Sequence, residues 1–106
     1  MTDCIFCKII NGEIPSTKIY ENNYVIAIDD INPKAKVHSL VIPKKHVQSL
    51  IELEDEKVMS EIIKAVKEVA KIKHAKAYRV HVNTGKDEGQ VVMHLHFHFL
   101  SNHPEV

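Results

Sequence analysis

Two stretches of the chain carry apolar residues at helical spacing. In residues 4–10 the apolar residues recur one turn apart, and Asn11-Gly12 ends the run. Residues 54–73 repeat the i, i+3, i+4 spacing over a longer stretch, at Val58, Ile62, Ile63, Val66, Val69 and Ala70. Acidic residues occupy the start of this stretch and lysines lie near its end, the charge order that the helix dipole favours. The pattern predicts a short N-terminal helix, with Asp3 available as its cap, and one long scaffold helix.

Five other stretches favour β-strands, because they are rich in β-branched residues or alternate between apolar and polar residues. They are residues 18–21, 24–28, 37–42, 77–83 and 94–100. The second and third are separated by a run of turn residues and predict an antiparallel pair. The order of helix, strands, helix and strands with short links predicts an α+β fold. We expect a mainly antiparallel sheet of about five strands, in a single domain spanning residues 1–106.

The last predicted strand alternates strictly between histidine and apolar residues. Successive side chains on a strand point to opposite faces, so His94, His96 and His98 would share one face. The apolar residues between them would take the other face. Imidazole titrates near neutral pH, acts as a nucleophile and binds metals. One face is therefore predicted to pack and the other to carry chemistry.

Composition and charge narrow the range of functions. The 106 residues include 14 basic and 14 acidic residues and 8 histidines. This balance predicts neither a nucleic-acid surface nor a membrane surface. No apolar run approaches the ~20 residues of a membrane span, and no signal peptide is evident, so we expect a cytoplasmic protein. In a reducing compartment, the spacing of Cys4 and Cys7 favours metal or redox chemistry over a structural disulfide.

Two further histidines allow more than one interpretation. His38 shares a strand face with Leu40 and Ile42, so it would lie among apolar side chains. Such a histidine can be a catalytic residue or a core residue with a hydrogen-bond partner. His46 follows two lysines, which is typical of a surface residue.

The polar loop at residues 83–91 leads directly into the histidine strand. Gly85 and Gly89 free its backbone, and a turn with exposed N–H groups can hold an anion such as phosphate. The loop lacks the Gly-Lys-Ser/Thr of a P-loop. An ordinary hairpin connection explains it equally simply.

The chain resembles the histidine triad superfamily, whose signature is His-φ-His-φ-His-φ-φ, with φ apolar. Residues 94–100 meet this signature at every position. The resemblance extends over nearly the whole chain and is closest to the Hint-like branch of nucleoside phosphoramidases, also called protein kinase C inhibitor-like proteins. The other segments that carry it are residues 4–10, 13–15, 38–46, 83–85 and 89–90.

The resemblance implies nucleotidyl transfer at the α-phosphate of a purine nucleoside 5′-phosphoramidate or a related nucleotide. His96 corresponds to the nucleophile that becomes transiently nucleotidylated, before water releases the nucleoside monophosphate. His98 corresponds to a histidine that contacts the phosphate. His38 corresponds to a histidine that helps to relay a proton to the leaving group.

The resemblance also implies a set of nucleotide-binding residues. Asp30 corresponds to the acid that binds the ribose hydroxyls, with Ile31 beside it. The apolar wall against the purine corresponds to Ile5, Phe6, Ile9 and Leu40, and the phosphate surroundings to Asn83, Gly89, Gln90 and Val91. Core packing alone would equally explain the apolar wall. Animal Hint proteins carry serine where this chain has Val91, so only the backbone N–H of Val91 can reach the phosphate.

A second set of residues resembles the structural zinc site of prokaryotic members. Cys4, Cys7, His46 and His94 would form a Cys2His2 set, which suits Zn²⁺ in tetrahedral geometry. Spacing alone does not pair these cysteines with such distant histidines. Two free thiols on a helix are the simpler alternative.

Three functions stay open on the sequence. The first is a nucleotide hydrolase with a nucleotidyl-His96 intermediate. A variant of this function is the hydrolysis of dinucleoside polyphosphates, which a related branch of the superfamily carries out. The second is a nucleotide-binding regulatory module that acts through partners. The third is a zinc-binding interaction domain. Hint-type proteins are homodimers, so the resemblance also implies a homodimer.

Overall fold

The computed structural model of the chain describes residues 4–104, which form two α-helices and a five-stranded sheet. The helices are α1 (Ile5–Ile10) and α2 (Glu56–Ile72). The strands are β1 (Lys18–Glu21), β2 (Val25–Asp29), β3 (Val37–Pro43), β4 (Ala75–His81) and β5 (Phe97–Pro104). They lie in the order β1-β2-β3-β5-β4, with every neighbouring pair antiparallel. The predicted α+β class, with one long and one short helix, is confirmed.

The long helix α2 covers one face of the sheet. It begins at Asp55, whose carboxylate accepts hydrogen bonds from the backbone N–H groups of Lys57 and Val58 at 2.9 and 3.1 Å. This cap satisfies two of the N–H groups that a helix start leaves unpaired. The packed layer between helix and sheet contains Val25, Ala27, Val37, Val41, Val58, Ile62, Ala65, Val66, Val69, Leu95 and Phe99.

One residue of the predicted apolar stripe on α2 does not belong to it. Ile63 is 58% exposed, whereas its neighbour Ile62 is 1% exposed. Successive residues on a helix are rotated by about 100°, so the two cannot both face the sheet. The stripe continues instead through Ala65 and Val66.

The short helix α1 packs on the opposite face of the sheet. Phe6 and Ile9 are buried there against β2 and β3, on Ile26, Ile28, Leu40 and Ile42. The residue that caps the helix is Cys4, whose Sγ accepts a hydrogen bond from the Cys7 backbone N–H at 3.3 Å. Asp3, the predicted cap, lies outside the described residues.

The largest differences from the predicted elements are at the two ends of the histidine strand. β5 begins at Phe97 and runs to Pro104, so His94 and His96 precede the strand instead of lying in it. The Leu95 N–H bonds the Val47 carbonyl at 2.9 Å, outside the sheet ladder. Side-chain alternation nevertheless persists, because Leu95 and Phe99 both reach the α2 layer. β4 starts two residues earlier than predicted, and the other elements agree within two residues.

No helix among residues 4–104 has the length and hydropathy that a membrane span requires.

Candidate active site

Strand register brings histidines together on the face of the sheet that carries α1. Leu40 of β3 and His81 of β4 both lie opposite His98 of β5. Residues directly opposite each other on antiparallel strands share a face, so His81 and His98 are neighbours. His38 lies on the same face of β3 as Leu40, two residues away along the strand. Its Nε2 is 3.0 Å from the His98 Nδ1.

His96 is held in one tautomer by the backbone of the segment that precedes β5. Its Nδ1 is 2.8 Å from the His94 carbonyl oxygen, and since a carbonyl only accepts, Nδ1 carries the proton. The Nε2 atom of the neutral ring therefore has the free lone pair. Burial lowers the pKa of His96, and the hydrogen bond to the His94 carbonyl opposes this only in part. His96 is consequently a neutral imidazole with a nucleophilic nitrogen at neutral pH.

His38 and His98 form a hydrogen-bond chain whose direction is fixed by the backbone. The Lys34 backbone N–H donates to the His38 Nδ1 at 3.1 Å, so this nitrogen is an acceptor. Burial lowers the pKa of His38, so the ring is neutral and carries its proton on Nε2. This Nε2–H donates to the His98 Nδ1. His98 in turn must carry its own proton on Nε2, where it is a hydrogen-bond donor.

Asp30 lies beside this chain. Its Oδ2 is 3.4 Å from the His38 Nε2, and its Oδ1 accepts a hydrogen bond from the Asn32 N–H at 2.8 Å. By distance alone, Asp30, His38 and His98 could also hold a metal ion. A metal would need a lone pair on the His38 Nε2, which carries the proton. The three residues therefore favour hydrogen bonding over metal binding.

The pKa of His98 gives a prediction for stability. Burial is the main cause that lowers it, from 6.5 to about 4, and the neighbouring His96, His81 and His38 add to the shift. Between these two values the unfolded chain binds a proton that the folded chain does not. The stability that neutral His98 contributes is therefore complete above pH 6.5 and is lost as the pH falls toward 4.

We expect the free energy of unfolding to fall less steeply between pH 6.5 and 4 in His98→Asn than in the unsubstituted protein. Urea unfolding at several pH values measures this slope. The exposed His103 provides the control substitution His103→Ala, for which we expect the same slope as in the unsubstituted protein. Equal slopes for His98→Asn and the unsubstituted protein would contradict the prediction.

A second cluster joins the N-terminal helix to the segments that flank the sheet. Its donor atoms are the thiols of Cys4 and Cys7 and the Nδ1 atoms of His46 and His94. The His94 Nδ1 is 3.1 Å from the His46 Nδ1, 3.2 Å from the Cys4 Sγ and 3.6 Å from the Cys7 Sγ. The backbone bond between Leu95 and Val47 aligns the two histidine-bearing segments. This cluster could hold a metal ion.

The state of His94 fits a metal-binding role. Its Nε2 is 2.8 Å from the Pro43 carbonyl oxygen, so Nε2 carries the proton and Nδ1 presents a lone pair to both thiols. A ligand histidine that donates its other N–H to a carbonyl is the usual outer-shell arrangement. Burial lowers the pKa of His94, which keeps the ring neutral, and raises the pKa of the Cys7 thiol. The four donor atoms lie within 4.8 Å of one another, close enough to be ligands of one tetrahedral cation.

The loop that precedes the triad differs from the predicted anion cradle. The N–H groups of Glu88, Gly89 and Gln90 donate to carbonyls within the loop. The side chain of Gln90 is buried: its Oε1 accepts from Gly85, and its Nε2 donates to backbone carbonyls. Asn83 also braces the loop, through the Glu88 carbonyl. These groups hold the loop in shape, and their predicted contacts with phosphate stay predictions.

The glycines explain how the loop attains this shape. Gly85 and Gly89 have φ angles of +88° and +91°, which L side chains rarely adopt. Val91 follows them, is 88% exposed, and its N–H donates to no group in residues 4–104. Its backbone is thus available to a ligand.

The predicted apolar wall divides into buried and exposed residues. Phe6, Ile9 and Leu40 are between 6% and 7% exposed and belong to the α1 core. Ile5 is 46% exposed and Ile31 is 90% exposed, so these two present apolar surface. Phe6 also packs its ring edge-on against His96, at 5.0 Å between ring centroids. It therefore acts at least as a support for that ring.

The sequence prediction missed His81. Its ring stacks on that of His98, with the centroids 4.6 Å apart and the planes 22° apart. The only signal in the sequence is its place near the end of the strand that precedes the loop. That signal could not be used without the register between β4 and β5.

Fold and site together define a histidine-triad protein: an antiparallel α+β sheet with a neutral, buried histidine flanked by a hydrogen-bonded histidine pair. The HIT domain family model matches residues 11–105, and the chain belongs to that family. The match begins after Cys4 and Cys7.

Known proteins of this family are similar over most of their length. A HIT family hydrolase from Clostridium thermocellum superposes with a TM-score of 0.91 at 44% identity, over all of this chain and 93% of that one. An uncharacterised HIT-like protein from Methanocaldococcus jannaschii is 47% identical over 92% of this chain and 77% of its own. The adenosine 5′-monophosphoramidase hnt1 of Schizosaccharomyces pombe is 43% identical over 92% of this chain and 72% of its own.

Proposed function

We propose that this chain hydrolyses purine nucleoside 5′-phosphoramidates or related nucleotides at the α-phosphate, through a covalent nucleotidyl-His96 intermediate. The observation that carries the proposal is the bond from the His96 Nδ1–H to the His94 carbonyl, which leaves the Nε2 lone pair free. The similarity to a monophosphoramidase supports the substrate class.

In the first step the His96 Nε2 forms a bond to the α-phosphorus while the bond from phosphorus to the leaving nitrogen breaks. The leaving amine takes up a proton through the chain of His38 and His98, and the water that attacks in the second step returns a proton to that chain. In the second step water attacks the phosphorus, which releases the nucleoside monophosphate and returns neutral His96. Dividing one displacement into two is the advantage of covalent catalysis.

His98 and His38 assist at the phosphate. The Nε2–H of His98 would donate to a phosphate oxygen and stabilise charge there, since its Nδ1 is already occupied by His38. His38 keeps its proposed role as the relay toward the leaving group, because its Nε2–H already bonds the ring that meets the phosphate. Asp30, beside His38, would accept hydrogen bonds from the ribose hydroxyls.

The exposed apolar residues Ile5 and Ile31 would pack against the purine. Phe6, Ile9 and Leu40 would contribute as the buried layer beneath it. The backbone N–H of Val91 would contact the phosphate. Asn83, Gly89 and Gln90 would act in binding by holding the loop that presents Val91.

We further propose that Cys4, Cys7, His46 and His94 bind structural Zn²⁺. Two thiolates and two imidazoles suit this ion, and a tetrahedral site places its ligand atoms about 3.3–3.8 Å apart. Four of the six separations are 3.1 to 3.6 Å, close to that range, and all six are within 4.8 Å. Bound zinc would tie α1 to the segments around His46 and His94, and would supply structure only.

A homodimer is also part of the proposal. β4 is an edge strand, and such an edge presents unpaired backbone groups. Exposed apolar side chains lie on this strand and on α2, at Met59, Ile63, Tyr78 and Val80. A second copy of the chain would cover both.

Mass spectrometry after a brief reaction with adenosine 5′-phosphoramidate, quenched before hydrolysis, tests the reaction class. We expect a nucleotidyl adduct on the peptide that contains His96, labile to acid as a phosphoramidate is. An adduct on another residue would contradict the assigned nucleophile. Binding without any adduct or turnover would instead support the regulatory module.

A further inference from the structure

His81 lies at the edge of the sheet, next to the proposed phosphate contact. It ends β4 and pairs across the strands with His98. The two rings stack nearly parallel, at 4.6 Å between centroids and 22° between planes. His81 is exposed, and its ring makes no hydrogen bond to any group in residues 4–104. The His81 side chain therefore contacts His98 through the face of its ring.

The ring of His98 needs such a contact. Rotation about χ2 of histidine is broad, so packing must select the orientation of the ring. One hydrogen bond, from the His38 Nε2–H, holds the Nδ1 atom toward β3, and rotation of the ring about χ2 would break this bond and free Nδ1 to take up a proton. The rings of His96 and His38 meet the His98 ring at 62° and 42°, with 5.1 and 5.2 Å between centroids, so neither stacks flat on it. His81 stacks nearly parallel on the ring and so restricts its rotation.

We propose that His81 is a positioning residue, which stacks on His98 and so aims the His98 Nε2–H at the phosphate. This inference rests on the proposed function for its consequence in catalysis. Its structural part, the ordering of the His98 ring, stands independently. The stacking interaction, rather than hydrogen bonding by His81, is the physical basis.

Long-range ¹H–¹⁵N correlation of the imidazole rings in the ligand-free protein tests the structural part. We expect His98 to show one tautomer, protonated on Nε2, in the unsubstituted protein and in His81→Phe, which keeps a flat ring. In His81→Ala the two nitrogen shifts of His98 should move toward each other, as the ring averages between orientations. The exposed His103 gives the control His103→Ala, with an unchanged pattern.

Steady-state kinetics with adenosine 5′-phosphoramidate test the catalytic part. His81→Ala should lower kcat by about three- to tenfold, the change in rate that corresponds to the free energy of one aromatic contact. KM should change by less than about twofold. His81→Phe should recover most of the lost rate. His81→Leu, which fills the space without a flat ring, should resemble His81→Ala.

Two results would overturn the inference: identical His98 signals in His81→Ala and the unsubstituted protein, or equal disorder of that ring in His81→Ala and His81→Phe. If the unsubstituted protein shows no turnover, the proposed hydrolase function fails while the ring signals still decide the role of His81. If turnover is present and the ring signals do not respond, the inference alone fails.

Discussion

His96→Asn should abolish turnover of adenosine 5′-phosphoramidate, with a fall in kcat of roughly 10³- to 10⁶-fold, the range seen when a nucleophile is removed. The side-chain amide of asparagine can place an N–H near the position of the His96 Nδ1–H and keep the bond to the His94 carbonyl. The substitution therefore deletes the nucleophilic nitrogen while it preserves the anchor of the side chain. Initial rates from released nucleoside monophosphate measure the effect.

The control for this variant is nucleotide binding. Calorimetric titration with adenosine monophosphate should give a dissociation constant within about threefold of the unsubstituted value, since the proposed ribose and phosphate contacts lie on Asp30 and His98. His103 lies near the end of β5, far from His96, so His103→Ala should keep full activity. Turnover by His96→Asn within tenfold of the unsubstituted rate would rule out the covalent mechanism.

Loss of the cysteine thiols should remove zinc and destabilise the fold. A ligand that binds only the folded state, at 100 to 1,000 times its dissociation constant, stabilises by about 3–4 kcal/mol, so the double variant Cys4→Ser/Cys7→Ser should lose about this amount. Serine is a good N-cap, and Cys4 caps α1, so the hydroxyl can keep the hydrogen bond from the residue-7 N–H. The change in stability then reports on the metal and not on the start of the helix.

Metal analysis and chelation separate the contribution of bound zinc to stability from that of the cysteine side chains themselves. We expect about one equivalent of zinc per chain in the unsubstituted protein, grown with zinc supplied, and none in the double variant. A strong chelator should lower the free energy of unfolding of the unsubstituted protein and leave that of the double variant unchanged. Zinc retained by the double variant, or stability indifferent to both changes, would contradict the proposed site.

The hydrophobic pattern determined the elements and the fold class. The spacing of Val58, Ile62, Val66 and Val69 defines α2, and alternation defines which side chains of the histidine segment pack, because both depend only on local backbone geometry. Boundaries were less well determined. His94 and His96 lie outside β5, because the chain there pairs with Val47 instead of a strand neighbour.

Only the tertiary structure determined the tautomer and the hydrogen-bond partner of each histidine. Three equally spaced histidines look equivalent in sequence, yet His94 turns its lone pair to the cysteines, His96 keeps one free, and His98 accepts a proton donor from β3. His94 and His98 take their states from hydrogen bonds to the distant Pro43 carbonyl and His38 ring, whereas His96 bonds the carbonyl of His94, two residues before it. His81 enters the site for the same reason, through strand register. The sequence specifies local periodicity, whereas the tautomers of His94 and His98 depend on partners that the fold brings from far along the chain.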